Sequence, residues 1–166
     1  MKLRFGDMMA HRSECDYFLF TGNSTVKSNG CLVMGRGLAR QVRDAFPGVD
    51  LKLGEAIDQT CYREASSPTR SQTNRKYHLI IGQKLGVLQV KTRYDWPANP
   101  GLISDSLGVL RKYLEMQPEQ TFFLNYPGIG NGQLAREDVA PLLDEHLGDV
   151  DNITIWERKP TTGGVA

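Results

Sequence analysis

Two glycine clusters constrain the fold of this chain more than any other feature of its sequence. The clusters consist of Gly30, Gly35 and Gly37, and of Gly128, Gly130 and Gly132. Clustered glycines mark places where a backbone turns sharply or must approach another group closely. Each cluster follows an apolar run and precedes an amphipathic one, so both are predicted to lie at strand-to-helix junctions.

The segments around the clusters alternate between apolar runs and helical patterns. Strands are predicted at 17–20, 77–81, 87–90, 121–125 and 152–156. Helices are predicted at 38–46, 50–64, 100–116 and 137–147, where apolar residues recur at three- and four-residue spacing. This alternation predicts an α/β fold, specifically a three-layer α/β/α sandwich around a central mixed β-sheet. We expect a single domain over residues 1–158 and a flexible C-terminal tail at 159–166.

Composition and charge narrow the range of functions. The chain has 166 residues, and 20 Lys and Arg against 19 Asp and Glu give a formal charge of +1, which argues against a generic nucleic-acid binder. Its three cysteines, Cys15, Cys31 and Cys61, are too few and too far apart for a disulfide scaffold or paired zinc ligands. They are typical of reduced thiols in a cytoplasmic protein. We therefore expect no metal and no cofactor, and no membrane partner because no apolar run approaches the roughly 18 residues of a span.

The position of the glycine clusters favours an anionic ligand. In α/β sheets, ligands bind outside the carboxyl ends of the strands, where loops lead into helices. Free backbone N–H groups and the helix dipole at such junctions favour phosphate above other anions. Two such loops could cradle two phosphates. Neither the Walker A pattern nor the GxGxxG dinucleotide pattern occurs, and each cluster taken alone is also explained by a tight turn without a ligand.

Four segments resemble, in the right order, the motifs of the macro domain family. Residues 29–41, which read NGCLVMGRGLARQ, resemble its first ligand loop, most nearly in the bacterial and phage branch. That branch is similar to terminal ADP-ribose protein glycohydrolase and to macro domain antitoxins paired with DNA-modifying ADP-ribosyltransferases. Residues 6–9 (GDMM) resemble the motif after the family's first strand, 127–132 (PGIGNG) its second phosphate loop, and 152–156 its final strand. The resemblance spans roughly residues 3 to 157 and implies the macro domain fold.

The resemblance implies a site for ADP-ribose. Asp7 would accept a hydrogen bond from the adenine amino group, with Met8 beside it and Trp156 at the adenine end of the last strand. Asn29 would lie near the distal ribose. The two loops would surround the diphosphate and distal ribose with Met34, Gly35, Arg36, Gly37, Leu38, Ala39, Pro127, Gly128, Ile129, Gly130, Asn131 and Gly132. From the residues alone, Asp7 could equally be a turn or cap residue, Asn29 an Asx-turn residue, and Trp156 a core residue.

The resemblance also implies a catalytic lysine, Lys91, which follows the middle strand in the run VLQVKT at 87–92. A lysine amine can attack the anomeric carbon of the distal ribose if burial or a neighbouring cation lowers its pKa. A solvated lysine at a strand end is the alternative interpretation. The acid that follows the second glycine loop in the glycohydrolase branch is missing, because residues 132–136 read GQLAR. Glu137 and Asp138 come too late to replace it, whereas Asp95 could substitute.

These observations leave several functions open. The leading hypothesis is an ADP-ribosyl hydrolase that binds ADP-ribose and removes it from a modified carrier, either protein or nucleic acid. The alternatives are a non-catalytic ADP-ribose-binding module and a phosphatase acting on ADP-ribose 1″-phosphate. A basic loop with Arg70, Arg75 and Lys76 could help to hold an ADP-ribosylated nucleic acid, although the net charge argues against generic binding. We expect a cytoplasmic monomer whose partner is ADP-ribose or an ADP-ribosylated macromolecule.

Overall fold

The structure is a computed structural model that describes residues 1–64 and 75–158, without the side chains of 62–64. The predicted tail at 159–166 lies outside the described residues, as does Arg70 of the predicted basic loop. Arg75 is described, and its guanidinium is paired with Asp58 and only 14% exposed. The charge of Arg75 is therefore already paired within the fold. Arg75 is thus not free to bind a nucleic acid in the way that the sequence suggested for the basic loop.

The described chain alternates between strands and helices as predicted. The strands are β1 (Lys2–Phe5), β2 (Tyr17–Gly22), β3 (Leu79–Gly82), β4 (Leu85–Gln89), β5 (Phe122–Asn125) and β6 (Ile153–Glu157). The α-helices are α1 (Gly37–Ala45), α2 (Val49–Glu64), α3 (Pro100–Met116) and α4 (Arg136–Leu147). Short 3₁₀ helices cover Met9–Glu14 and Gly130–Gly132.

The strands form one mixed sheet in the order β1-β6-β5-β2-β4-β3. Neighbouring strands are parallel except β3 and β4, which form an antiparallel hairpin. The hairpin turn uses Gln83 and Lys84, whose φ angles are 41° and 70°. Positive φ at both central residues is typical of the type I′ turn that suits the twist of two-residue hairpins. The mixed sheet confirms the predicted fold class.

Two hydrophobic cores lie on opposite faces of the sheet. Leu19 and Leu124 point to one face and pack with the apolar residues of α3 and α4. Their neighbours Phe20 and Phe123 point to the other face and pack with α1 and α2. A central strand buried on both faces has no polar side, which is why β2 and β5 read as unbroken apolar runs in the sequence.

One predicted strand begins later than expected, and one strand was not predicted. The segment at Tyr77 and His78 precedes β3 instead of opening it, because His78 adopts a left-handed φ of 63° and Tyr77 turns its hydroxyl inward to the carbonyl of Asn23. The edge strand β1 was not among the predicted strands: it is only four residues long and all four are exposed. Elsewhere the ends of the predicted elements shift by only one or two residues. In the described ranges, no helix is long and apolar enough to span a bilayer.

Candidate functional site

A cleft of about 1230 Å³ opens where the parallel strands end. Its lining begins at the carboxyl ends of four strands, with Gly22 of β2, Lys91 after β4, Asn125 of β5 and Trp156 of β6. The lining also includes Gly35 and Gly37 of the first cluster, though not Gly30, and all three glycines of the second cluster. The cleft therefore occupies the position where α/β sheets bind ligands.

The first glycine loop, residues 34–39, leads directly into α1 and lines the cleft. The first N–H groups of a helix have no partner within that helix. In the described structure the N-cap, Arg36, makes no side-chain capping hydrogen bond to them. Gly37 has a φ of 58°, a backbone conformation in which a residue with a side chain would be strained. The loop thus presents unpaired backbone donors at the positive end of a helix dipole, an arrangement that suits an anion.

The second glycine loop, residues 127–132, lies against the first. A Cβ atom on Gly37 would stand 3.1 Å from the side-chain nitrogen of Asn131, so the two loops approach each other closely. Gly128 and Gly130 have φ angles of 79° and 69°, and both line the cleft. The two loops are therefore adjacent and together line one side of the cleft.

Lys91 enters this cleft beside the second loop. Its Nζ lies 3.5 Å from the carbonyl oxygen of Asn131. Partial burial lowers the pKa of the Lys91 amine, the nearby Arg36 lowers it further, and Asp95 acts in the opposite direction. Both depressing effects penalise the charged ammonium, so a larger fraction of the amine is neutral than in an exposed lysine. A neutral amine is the form that can act as a nucleophile.

The acidic side chains of the cleft are already paired. Asp7 accepts hydrogen bonds from the amides of Met9, at 3.1 Å, and Ala10, at 3.4 Å, both through Oδ1, so its Oδ2 can still accept from a ligand. Asp95 and Glu157, the other carboxylates of the lining, are held by arginines, with N···O distances of 3.0 Å to Arg93 and 2.9 Å to Arg136. None of the carboxylates that line the described cleft is therefore a free counterpart of the missing acid.

Trp156 closes the end of the cleft near Asp7. The indole is only 2% exposed, with the Arg4 guanidinium 4.1 Å from its ring centroid and the His11 ring stacked at 5.1 Å. Its Nε1 is buried and has no hydrogen-bond partner among the described residues. Trp156 is thus a core residue and a lining residue at once, and it carries an unsatisfied donor.

The structure gathers nearly all of the predicted site residues around this one cleft. The lining includes Asp7, Met8, Met34, Gly35, Arg36, Gly37, Leu38, Ala39, Lys91, Gly128, Ile129, Gly130, Asn131, Gly132 and Trp156. Pro127, the first residue of the second loop, is buried and does not belong to the lining. Asn29 also lies outside it, because its Oδ1 accepts the amide of Cys31 at 3.1 Å in an Asx turn. The local geometry of Asn29 is therefore that of an Asx-turn residue, which was the alternative interpretation of this residue from the sequence.

Several lining residues were not predicted. Asn23 follows β2 and is 7% exposed, and its Nδ2 donates to the carbonyl of Val33 next to the first loop. Thr21 and Asn125 hold the ends of β2 and β5 together, since Asn125 Oδ1 accepts the Thr21 amide at 2.9 Å. A polar residue at or just after the end of a parallel strand is the signal that could have found them. No group of three or more metal-ligating side chains occurs in residues 1–64 and 75–158.

Comparison with known proteins identifies the fold. No protein-family model matches the sequence, and no curated protein sequence matches it. The structure, however, resembles the macrodomain of Thermus aquaticus DarG with a TM-score of 0.65 at 20% sequence identity, covering 96% of this chain and 97% of that one. The macrodomain of Mycobacterium tuberculosis DarG is similar at 19% identity and a TM-score of 0.62, covering 96% and 98%.

A third similar structure is a complex with ADP-ribose. Thermosipho africanus DarTG, solved in complex with ADP-ribose, matches 100% of this chain at 18% identity with a TM-score of 0.70, and the match covers 43% of that protein. These similarities establish that the protein has the macrodomain fold. Within that fold it resembles the macrodomain of DarG.

Proposed function

We propose that the protein binds ADP-ribose in this cleft and hydrolyses the bond between ADP-ribose and a modified carrier, with Lys91 as the nucleophile. The observation that carries the proposal is the position of the Lys91 amine, 3.5 Å from the second glycine loop and inside the same cleft as the first. The complex of Thermosipho africanus DarTG with ADP-ribose supports the choice of ligand.

The ligand would run along the cleft from Trp156 to Lys91. Its adenine lies at the Asp7 end, and its diphosphate lies over the unpaired N–H groups at the start of α1. The distal ribose then reaches the Lys91 amine next to Asn131. Each part of the ligand meets a group of matching chemistry: an acceptor for the adenine amino group, donors for the diphosphate, and a nucleophile for the anomeric carbon.

The reaction takes place in two stages. The neutral amine of Lys91 forms a bond to the anomeric carbon as the bond from that carbon to the carrier breaks, and the carrier leaves with a proton. Opening of the ribose ring gives a Schiff base between Lys91 and the sugar. Water adds to this Schiff base and releases free ADP-ribose and the lysine amine. Lowering of the amine pKa by burial and by Arg36 increases the fraction of neutral amine that is available for the first stage.

The test is release of free ADP-ribose from ADP-ribosylated protein and ADP-ribosylated single-stranded nucleic acid. Native protein should release it, Lys91→Ala should not, and Lys52→Ala, an exposed lysine on α2, should behave as the native protein. Borohydride added during turnover should reduce the Schiff base and attach the sugar covalently to Lys91. Full activity of Lys91→Ala would exclude the mechanism. Release of inorganic phosphate from ADP-ribose 1″-phosphate alone would instead indicate a phosphatase.

A non-catalytic binding module is the second candidate, and the pairing of the acidic residues favours it. Asp95 is near enough to Lys91 to affect its pKa, yet it is engaged with Arg93. Without a free carboxylate, nothing in the described cleft is poised to take up the proton of an attacking water. A native protein that binds ADP-ribose tightly but releases none from any carrier would establish this second function.

The rim next to Lys91 favours a nucleic acid as the carrier. Tyr94 and Trp96 are 52% and 44% exposed, and the Arg93 guanidinium lies 5.4 Å from the Trp96 ring centroid. Exposed aromatic rings beside a cation can stack on the bases of a single strand. Trp96→Ala should therefore weaken turnover of an ADP-ribosylated single strand more than that of an ADP-ribosylated protein. Equal losses on both carriers would contradict the choice of nucleic acid.

A further inference from the structure

Gln89, the last residue of β4, has a fully buried side chain two residues before Lys91. Its Oε1 accepts hydrogen bonds from the amides of Tyr77, at 2.8 Å, and His78, at 3.1 Å. Its Nε2 donates to the carbonyl oxygens of Arg75, at 2.8 Å, and Lys91, at 3.2 Å. A carboxamide offers two lone pairs and two N–H groups, so the whole hydrogen-bonding capacity of this side chain is used.

These hydrogen bonds join the backbone of Lys91 to the segment at Tyr77 and His78, whose backbone conformation is uncommon. His78 adopts a left-handed φ of 63°, which is uncommon for any residue other than glycine. Gln89 binds the amide of His78 on one side and the carbonyl of Lys91 on the other, through opposite ends of one amide group. Backbone hydrogen bonds hold the residues on either side of Lys91, since the Val90 amide donates to the carbonyl of Gly22 and the Ser24 amide donates to the carbonyl of Thr92, both at 3.0 Å. The Gln89 side chain adds the hydrogen bond to the carbonyl of Lys91 itself, between these two.

A neighbouring hydroxyl strengthens the same connection. Ser24 is fully buried, and its Oγ lies 3.0 Å from the carbonyl of Arg75 and 3.1 Å from the carbonyl of Thr92. The single hydroxyl hydrogen of Ser24 can be donated to either of these two carbonyls, and both lie within reach of it. The carbonyl of Arg75 thus lies within reach of Ser24 as well as accepting from Gln89, and Thr92 is the neighbour of Lys91. Displacing a buried polar network leaves donors or acceptors unpaired, which favours one geometry.

We propose that Gln89 is a positioning residue that sets where the Lys91 amine stands in the cleft. Without the donors of Gln89 the carbonyl of Lys91 loses this hydrogen bond while Val90 and Thr92 stay bonded to the β2 side, so we expect the peptide of Lys91 to reorient and the amine to shift from the carbonyl of Asn131. The catalytic consequence rests on the proposed function of Lys91, whereas the placement of the amine does not depend on turnover. Reactive groups misplaced by about 1 Å can lose about a hundredfold in rate.

The test compares Gln89→Met with a matched control. Methionine is neutral and similar in length, but it provides none of the four hydrogen bonds. The control is Ser106→Ala, which removes a buried hydrogen bond of 2.8 Å to the carbonyl of Gln89 itself without touching Lys91. Both variants lose buried hydrogen bonds at the same residue, and only Gln89→Met releases the lysine.

Two readouts separate positioning from stability. The first is the pKa of the Lys91 amine, followed by NMR of carbon-13 methylated lysines, with Lys91→Arg used to assign the signal. Gln89→Met should raise this pKa toward that of an exposed lysine because the amine loses its burial, and Ser106→Ala should leave it unchanged. The second is turnover, in which Gln89→Met should lower kcat about a hundredfold while the Kd for ADP-ribose stays close to the native value.

An unchanged Lys91 pKa in a folded Gln89→Met protein would overturn the proposal. If native protein releases no ADP-ribose, the proposed function fails, but the pKa comparison still decides the role of Gln89. If Gln89→Met does not fold, Gln89→Glu takes its place, since glutamate keeps the acceptor for the two amides and loses both donors when charged. An unaltered Lys91 signal in that variant would likewise overturn the proposal.

Discussion

Gly35→Glu gives a direct test of whether the first glycine loop binds the diphosphate. A Cβ atom built on Gly35 meets nothing within 4 Å, and its φ is not in the left-handed region, so the fold should tolerate a side chain there. The new carboxylate would project into the cleft that the diphosphate is proposed to occupy. Stability should therefore remain close to native while the affinity for ADP-ribose falls.

The size of the loss follows from Coulomb's law. Two like charges about 4 Å apart repel by about 1 kcal/mol in bulk water and by about 4 kcal/mol near a protein surface. Since about 1.4 kcal/mol corresponds to a tenfold change in Kd, affinity should fall by about fivefold to about a thousandfold. Added salt should reduce the loss because it screens exposed charges.

Calorimetric titration with ADP-ribose measures this loss, and two variants control it. Gly35→Gln has the same shape without the charge, so the difference between the two variants isolates the electrostatic part. Gly82→Glu adds the same charge at an exposed, equally open glycine at the end of β3, outside the cleft, and should bind as the native protein does. Native affinity in Gly35→Glu would refute the placement of the diphosphate, and with it the direction of the ligand along the cleft.

The remaining predictions concern stability and pH. Gly54→Ala places a Cβ atom 1.9 Å from the carbonyl oxygen of Gly30 and should lower the free energy of unfolding by at least about 1–3 kcal/mol. Gly108→Ala, also within a helix but with only ordinary contacts, should raise it by about 0.5–1 kcal/mol in the same denaturant titration. Asn99→Ala removes the N-cap of α3 and should cost about 1 kcal/mol, whereas an unchanged midpoint would show that the cap contributes nothing. Because folding lowers the pKa of Lys91, stability should rise with pH between the folded value and the ordinary 10.5. Turnover should rise with pH up to the folded value and level off above it, before the ordinary 10.5 is reached, and a kcat that still rises with the ordinary pKa would contradict a lysine nucleophile with a lowered pKa.

Much of the fold was predictable because its central strands are buried on both faces. The unbroken apolar runs of β2 and β5 and the spacing of Ile103, Leu107 and Leu110 in α3 follow directly from that burial. The edge strand β1 has no such signal, since its residues face solvent. Its place in the sheet comes from pairing with β6, a contact between residues at opposite ends of the chain.

The candidate site likewise has features that could be predicted from the sequence and features that could not. The glycine loops could be identified from the sequence because each is a local run whose turns need residues without a side chain. The partners of Lys91 could not, since Asn131 is 40 residues further along the chain and reaches the amine only after the sheet has formed. Asn29 shows the reverse case, in which a local Asx turn accounts for the geometry of a residue that the motif placed at the ligand.

The sequence by itself determined the order of strands and helices, the two backbone loops suited to an anion, and the presence of a lysine after β4. Only the tertiary structure decided that both loops and Lys91 share one cleft, that the acidic residues of this cleft are already paired, and that Gln89 holds the Lys91 backbone. The physical reason is the range of the interactions. Hydrophobic periodicity and turn geometry act over a few neighbouring residues, whereas burial, ion pairing and pKa depend on groups that the parallel sheet brings together from distant parts of the chain.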